Sequence, residues 1–180
     1  MEERALLYIH EHANGAFDSV FWLSNELGTT PFCTILTLSA TLFWVWRRNR
    51  REALLWVGLG LSTYVVQEGL KLLFDRPRPA LWEGPVPTPE SFSFPSGHAV
   101  AAATFYTLLA RALAIHFPDH ARAAYVGGGI VAFYVGFGRL YLGVHWPTDV
   151  LAGWAIGTAQ TLLAFWVATR IDAPNKAARA

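Results

Sequence analysis

Val150-Leu-Ala-Gly-Trp-Ala-Ile-Gly-Thr-Ala-Gln-Thr-Leu-Leu-Ala-Phe-Trp-Val-Ala-Thr169 runs without a single charge. A hydrocarbon bilayer core is crossed by ~20 mostly apolar helical residues. This stretch therefore reads as a membrane-spanning helix. Thr29 to Trp46 is a second uncharged run of the same kind. Ala53 to Gln67, Ala99 to Ala110 and Ala123 to Gly138 are shorter. They reach spanning length when a charged residue at one end extends to the interface or faces the bundle interior. Hydrophobic residues make up 53% of the 180-residue chain and charged residues 15%. Too little polar sequence remains to cover a water-soluble helical core of this size. The expected class is all-α, an integral membrane bundle of five helices over 29–47, 52–74, 97–116, 122–142 and 148–169. Residues 5–27 are broken by His10, Glu11, His12, Asn14, Gly15, Asp18 and Glu26. They read as amphipathic interfacial helices, with a tilted sixth span as the alternative. One domain is expected over 1–180, divided into 1–28 interfacial, 29–170 transmembrane and 171–180 as a cytoplasmic tail.

Basic residues set the direction of insertion. Arg47, Arg48, Arg50 and Arg51 fill one link, Arg111 and Arg122 flank another, and Arg170, Lys176 and Arg179 follow the last span. These nine of the fourteen Lys and Arg residues assign that face to the cytoplasm. A net charge of +1 gives no basis for a nucleic-acid partner. The single cysteine, Cys33, rules out an intrachain disulfide and reads as packing. The N-terminus lacks the basic-then-apolar order of a cleavable signal.

The opposite face collects the reactive side chains. Lys71-Leu-Leu-Phe-Asp-Arg-Pro-Arg78-Pro79 leaves the second span, and Pro95-Ser-Gly-His98 enters the third. Arg139-Leu-Tyr-Leu-Gly-Val-His145-Trp-Pro-Thr-Asp149 joins the fourth to the fifth. Phosphoryl transfer spreads negative charge over the equatorial oxygens, and Lys71, Arg78 and Arg139 are suited to neutralise it. Ser96 is placed as the N-cap of a helix whose first amides face an incoming anion, and Gly97 permits close backbone approach. His98, in the first turn, is a candidate general acid. His145 and Asp149, four apart on a helix starting near Pro147, suit a nucleophile with an orienting carboxylate. Arg76 fits none of these positions and reads as interfacial or headgroup-facing. Glu68, one turn before Lys71, reads as a partner for a nearby cation. His10, His12, His116 and His120 read as structural. Neither histidines nor acids show metal-ligand spacing, so no metal and no cofactor are expected. The Pro-rich segment 77–95 cannot be helical throughout. Its Trp82, Phe92 and Phe94 suit headgroup level.

These three stretches resemble the signature of the type 2 phosphatidic acid phosphatase family, K-x6-R-P, P-S-G-H and S-R-x5-H-x3-D. That family also embraces vanadium haloperoxidases and glucose-6-phosphatase. The first two elements are complete here. The third matches at Arg139, His145 and Asp149, with Gly138 where the family usually has serine. The resemblance implies that His145 attacks phosphorus, that Asp149 orients it, and that His98 protonates the leaving group. It implies that Lys71, Arg78, Ser96, Gly97 and Arg139 bind phosphate. The expected activity is metal-independent dephosphorylation of a lipid phosphate or diphosphate at the outer face of a bacterial inner membrane. The candidate substrates are phosphatidylglycerophosphate, undecaprenyl diphosphate, phosphatidate and lipid A phosphate. Transfer of the phosphoryl group to another acceptor, or lipid-phosphate binding without turnover, are the alternatives. The expected partners are the substrate and membrane lipids.

Overall fold

The computed structural model describes residues 1–82 and 86–177, with side chains through Arg170. The described residues form seven α-helices. They are α1 (Glu2–Glu11), α2 (Gly15–Glu26), α3 (Thr30–Trp46), α4 (Arg50–Phe74), α5 (Gly97–His116), α6 (Ala121–Tyr141) and α7 (Pro147–Ala177), with a 3-10 turn at Pro118–His120 before α6. No strand occurs among the described residues. The helices expected from sequence coincide with α3 to α7 to within a few residues, except that α7 continues to Ala177. Of the expected tail, residues 178–180 lie outside the described residues.

Local chemistry sets the helix ends. Thr29 accepts from the Phe32 amide at the start of α3, with Pro31 in the first turn, and Asn49 accepts from the Glu52 amide at the start of α4. Asp75 closes α4 in the left-handed region at φ 45°, its amide returning to Lys71 O at 3.0 Å. Aspartate tolerates that conformation better than most residues. The chain then turns sharply into Arg76-Pro-Arg78.

α5 is the central helix. Ala99 to Tyr106 are all buried, as are Leu108 and Ala110. Its alanines admit α7 closely, and a Cβ on Gly157 would stand 2.5 Å from Val100 O. A polar cluster crosses the bundle: Gln160 Nε2 donates to Thr63 Oγ1 and Thr104 Oγ1, both at 2.7 Å, and Ser62 Oγ donates to Gln160 Oε1 at 3.0 Å. It joins α4, α5 and α7 through side chains that satisfy one another across helices. At the end where α4 begins and α5 finishes, Arg111 forks onto buried Glu52, with Nη2 to Oε1 at 2.6 Å. Leu54, Val65, Leu72, Ile130, Leu151 and Leu163 point outward, as lipid-facing positions require.

This is an integral membrane protein. Three described helical segments are long and apolar enough to cross a bilayer, Gly97–His116, Pro118–Tyr141 and Pro147–Arg170. α2 and α3 qualify together as a fourth, bent by 50° between Glu26 and Thr30. α4 has the length but carries Arg50, Arg51, Glu52, Glu68 and Lys71 near its ends. α1 and α2 are short, as expected of the N-terminal segment, and they pack on the bundle. Leu6 and Ser24 are fully buried, and Phe21 stacks on Tyr141 with ring centroids 4.1 Å apart.

Candidate active site

The end of α4, the start of α5, the end of α6 and the start of α7 meet at one end of the bundle. A cavity of about 540 Å³ opens there, lined by Lys71, Arg78, Gly97, His98, Arg139 and His145. Six of the eight residues singled out from sequence thus share one wall. Ser96 and Asp149 are fully buried and lie outside that lining.

His145 sits in the link between α6 and α7. Gly143, at φ +70°, makes that link turn, and Trp82 packs where a side chain would project. His145 is 2% exposed. Arg78 Nη1 donates to its Nε2 at 2.9 Å, so Nε2 carries the lone pair and Nδ1 the proton. Nδ1 faces Asp149 Oδ2 at 3.5 Å and Ser93 Oγ at 3.4 Å. Burial, reinforced by the charges of Arg78 and Arg139, pushes the imidazole down to about 3 against the pull of Asp149. His145 is therefore held as the neutral imidazole, with the Nε2 lone pair turned toward Arg78.

Arg78 is held by carbonyls. It donates to Ser91 O at 2.7 Å and Val144 O at 2.8 Å, and burial lowers its guanidinium only to about 10, so it stays charged. Arg139 is 2% exposed, and its Nη1 donates to Asn25 Oδ1. Its Nε is buried with no hydrogen-bond partner, and so is Ser96 Oγ. Lys71 Nζ pairs with Glu68 Oε1 at 2.8 Å, the pairing expected of Glu68. His98 Nε2 donates to the Asn25 carbonyl at 3.1 Å, which leaves Nδ1 as its free nitrogen. Gly97 lies against Gln67, whose Oε1 would stand 2.5 Å from an added Cβ.

One expectation needs correction. Arg76 does not face headgroups: it bridges Asp149 Oδ1 and Glu2 Oε2, both at 2.6 Å. Its place two residues before Arg78, between Asp75 and Pro77, gave no sign of this. Ser96 occupies the N-cap position of α5 but makes no side-chain cap bond; its amide instead donates to Asp149 O at 3.1 Å. Gly138 also has a physical reason, because a Cβ there would run into Ser24 Oγ of α2. Sequence reasoning missed Asn25, Ser93 and Glu2. Asn25 and Glu2 lie in the segment read as interfacial, with no spacing that ties them to the motifs. Ser93, which donates to Asp149 Oδ2 at 2.5 Å, lies between Ser91 and Ser96 near the end of the Pro-rich loop, and no motif position singles it out.

The model of the PAP2 superfamily matches residues 52–172. The chain belongs to the PAP2 superfamily. It is 34% identical to phosphatidylglycerophosphatase B of Bacillus subtilis over 82% of this chain and 71% of that one. It is 32% identical to an undecaprenyl-diphosphatase of Sulfolobus acidocaldarius over 65% of this chain and 55% of that one. The crystal structure of a transmembrane PAP2-type phosphatidylglycerolphosphate phosphatase from Bacillus subtilis superposes with a TM-score of 0.86 at 29% identity, covering 94% of this chain and 85% of that one. This PAP2 chain is accordingly an enzyme of the phosphatase type, and its relatives act on lipid phosphates and diphosphates.

Proposed function

We propose that this PAP2 enzyme hydrolyses a phosphomonoester carried on a membrane lipid, through a phosphohistidine on His145. The observation that carries the lipid reading is the cavity. From Lys71, Arg78 and Arg139 it continues along Cys33, Thr34, Thr37 and Leu38 of α3 and Val57, Gly60, Leu61 and Tyr64 of α4. A phosphate head at the cations and an apolar tail between α3 and α4 fit one continuous space.

The His145 Nε2 lone pair attacks phosphorus once the phosphoryl group draws Arg78 onto its oxygens. Arg78, Arg139 and Lys71 take up the equatorial charge, with Ser96 Oγ and the first amides of α5 as further donors. The bond from phosphorus to the lipid oxygen breaks, and His98, entering the step as an imidazolium with Nε2–H held by the Asn25 carbonyl, delivers its Nδ1 proton to that oxygen. Water then attacks the phosphohistidine while His98 takes its proton back, and the electron pair returns to Nε2.

We assign α3 to α7 as five spans, with α1 and α2 at the outer leaflet and residues 171–180 in the cytoplasm. The basic links 47–51 and 111–122 then lie inside, and the site opens to the outer face of a bacterial inner membrane. Phosphatidylglycerophosphate is the favoured substrate, on the likeness in sequence and structure to the Bacillus subtilis enzymes.

The test is phosphate release by detergent-purified protein, in EDTA, from phosphatidylglycerophosphate, phosphatidate, undecaprenyl diphosphate and glucose 6-phosphate. Fastest release from phosphatidylglycerophosphate, abolished in His145→Ala and unaffected by EDTA, is expected. Preference for the sugar phosphate would overturn the lipid assignment, and appreciable turnover by a folded His145→Ala protein would overturn the nucleophile.

A further inference from the structure

Asp149 has more partners than its contact with His145 requires. Its Oδ2 accepts from Ser93 Oγ at 2.5 Å and from the Trp146 amide at 2.9 Å. Its Oδ1 accepts from Arg76 Nη1 at 2.6 Å. The other arm of that guanidinium, Nη2, reaches Glu2 Oε2 at 2.6 Å. Glu2 Oε1 in turn accepts from the Thr148 amide at 3.0 Å and from its hydroxyl at 2.7 Å. Thr148 Oγ1 accepts from Arg76 Nη1 at 2.7 Å, which closes a ring through Glu2, Arg76 and Thr148, with Asp149 held on the same Nη1. Three parts of the chain meet in it: the first turn of α1, the link after α4, and the first turn of α7.

We propose that Glu2 and Arg76 are positioning residues, a latch that fixes the Asp149 carboxylate against His145 and makes α1 a working part of the active site. The proposal rests on the reading of His145 as nucleophile. A guanidinium is planar and presents paired donors on separate edges, so one Arg76 can hold two carboxylates at a set angle. Asp149 is fully buried, and Arg76 is the group that satisfies Oδ1. Without it that oxygen is an uncompensated buried acceptor, and the carboxylate rotates in search of a donor. The alignment of Oδ2 with His145 Nδ1 goes with it. Trp146, beside His145, braces the same arginine: its ring lies 5.5 Å from the guanidinium carbon, and its Nε1 donates to Pro77 O at 2.9 Å. Glu2 keeps Arg76 from swinging out. Burial opposes its charge, but the hydrogen bonds from Thr148 and Arg76 outweigh burial and hold it below the usual carboxylate range. A lysine at 76 would keep one charge and lose the bridge.

The experiment measures kcat and KM on phosphatidylglycerophosphate in detergent micelles for wild type, Glu2→Ala, Arg76→Gln, Arg76→Lys and the double variant Glu2→Ala/Arg76→Gln. Melting curves are recorded alongside as a check on folding. Glu2→Ala is expected to lower kcat roughly 10-fold and Arg76→Gln ~100-fold, with KM within about 2-fold, since misplacement of a reacting group costs on that order. Arg76→Lys falls with Arg76→Gln. The double variant loses no more than Arg76→Gln alone, because Glu2 acts through Arg76. Wild-type kcat in Glu2→Ala, or losses that multiply in the double variant, would overturn the latch and leave α1 a mere fastening. If Arg76→Gln does not fold, Glu2→Ala decides alone. Wild type silent on every lipid phosphate overturns the proposed function and the latch with it, whereas an active wild type with an unaltered Glu2→Ala overturns the latch only.

Discussion

His145 is built to stay unprotonated. In the unfolded chain an imidazole takes up its proton near pH 6.5, while in the folded chain it does so only near 3. Stability from this group is therefore complete above about pH 6.5 and is lost as pH falls from there towards 3. The proposed nucleophile, by the same sign, keeps its lone pair through that range. Once kcat/KM is corrected for the second ionisation of the phosphate itself, its acid limb is expected well below pH 6; a limb at 6.5 belonging to the free enzyme would contradict the buried, neutral histidine. Asn25 supplies a second test at this scale. Asn25→Ala keeps the carbonyl that His98 uses but removes the oxygen that Arg139 uses. It is expected to raise KM and lower kcat, each by about 10-fold, since one charge-assisted hydrogen bond contributes about 1.5–3 kcal/mol. The cations and histidines were legible because phosphoryl chemistry restricts which side chains can serve and fixed spacings carry them. Asn25 was not, because it acts mainly through a backbone carbonyl and one amide oxygen from a remote helix.

Helix by helix, charge-free runs of spanning length were readable, and so were their ends, because caps and prolines mark them. Packing of α2 on α6 was not readable. Helices that approach through small residues leave no periodic stripe to detect, and Gly138 is one of the points of contact. Returning the family's serine to that position is therefore expected to harm the protein. Gly138→Ser should lower its melting temperature and its activity, and Ser24→Gly in the same chain should restore both by giving back the space. Failure of the second substitution to compensate would mean that the two helices are not in the contact described. The 50° break between α2 and α3 was legible only as the short polar interval Glu26 to Thr30. It places Gly28 against the His98 ring, where an added Cβ would come within 2.6 Å of Cδ2, so Gly28→Ala should displace His98 and cut kcat. Product release that keeps its wild-type rate in Gly28→Ala would show that the ring tolerates the shift.

Across the whole molecule, charge is divided between the two ends. One holds the cations of the site; the other holds the Arg47 to Arg51 cluster and the Glu52–Arg111 pair. That pair was hidden in sequence, since Glu52 directly follows four nearby arginines and Arg111 is 59 residues away, yet Glu52 is 2% exposed. Arg111→Leu leaves Glu52 buried without its partner and should cost about 3 kcal/mol in stability with little change in KM, which thermal unfolding in detergent would register. The cavity between α3 and α4 has a different consequence. A substrate whose tail stays in the bilayer while its head reacts is never delivered from water. The variable that sets the rate is then its mole fraction in the membrane plane. Diluting the lipid phosphate with inert phospholipid at constant bulk concentration should slow turnover, as two-dimensional encounter requires, and adding more of the same mixed vesicles should not restore the rate per enzyme.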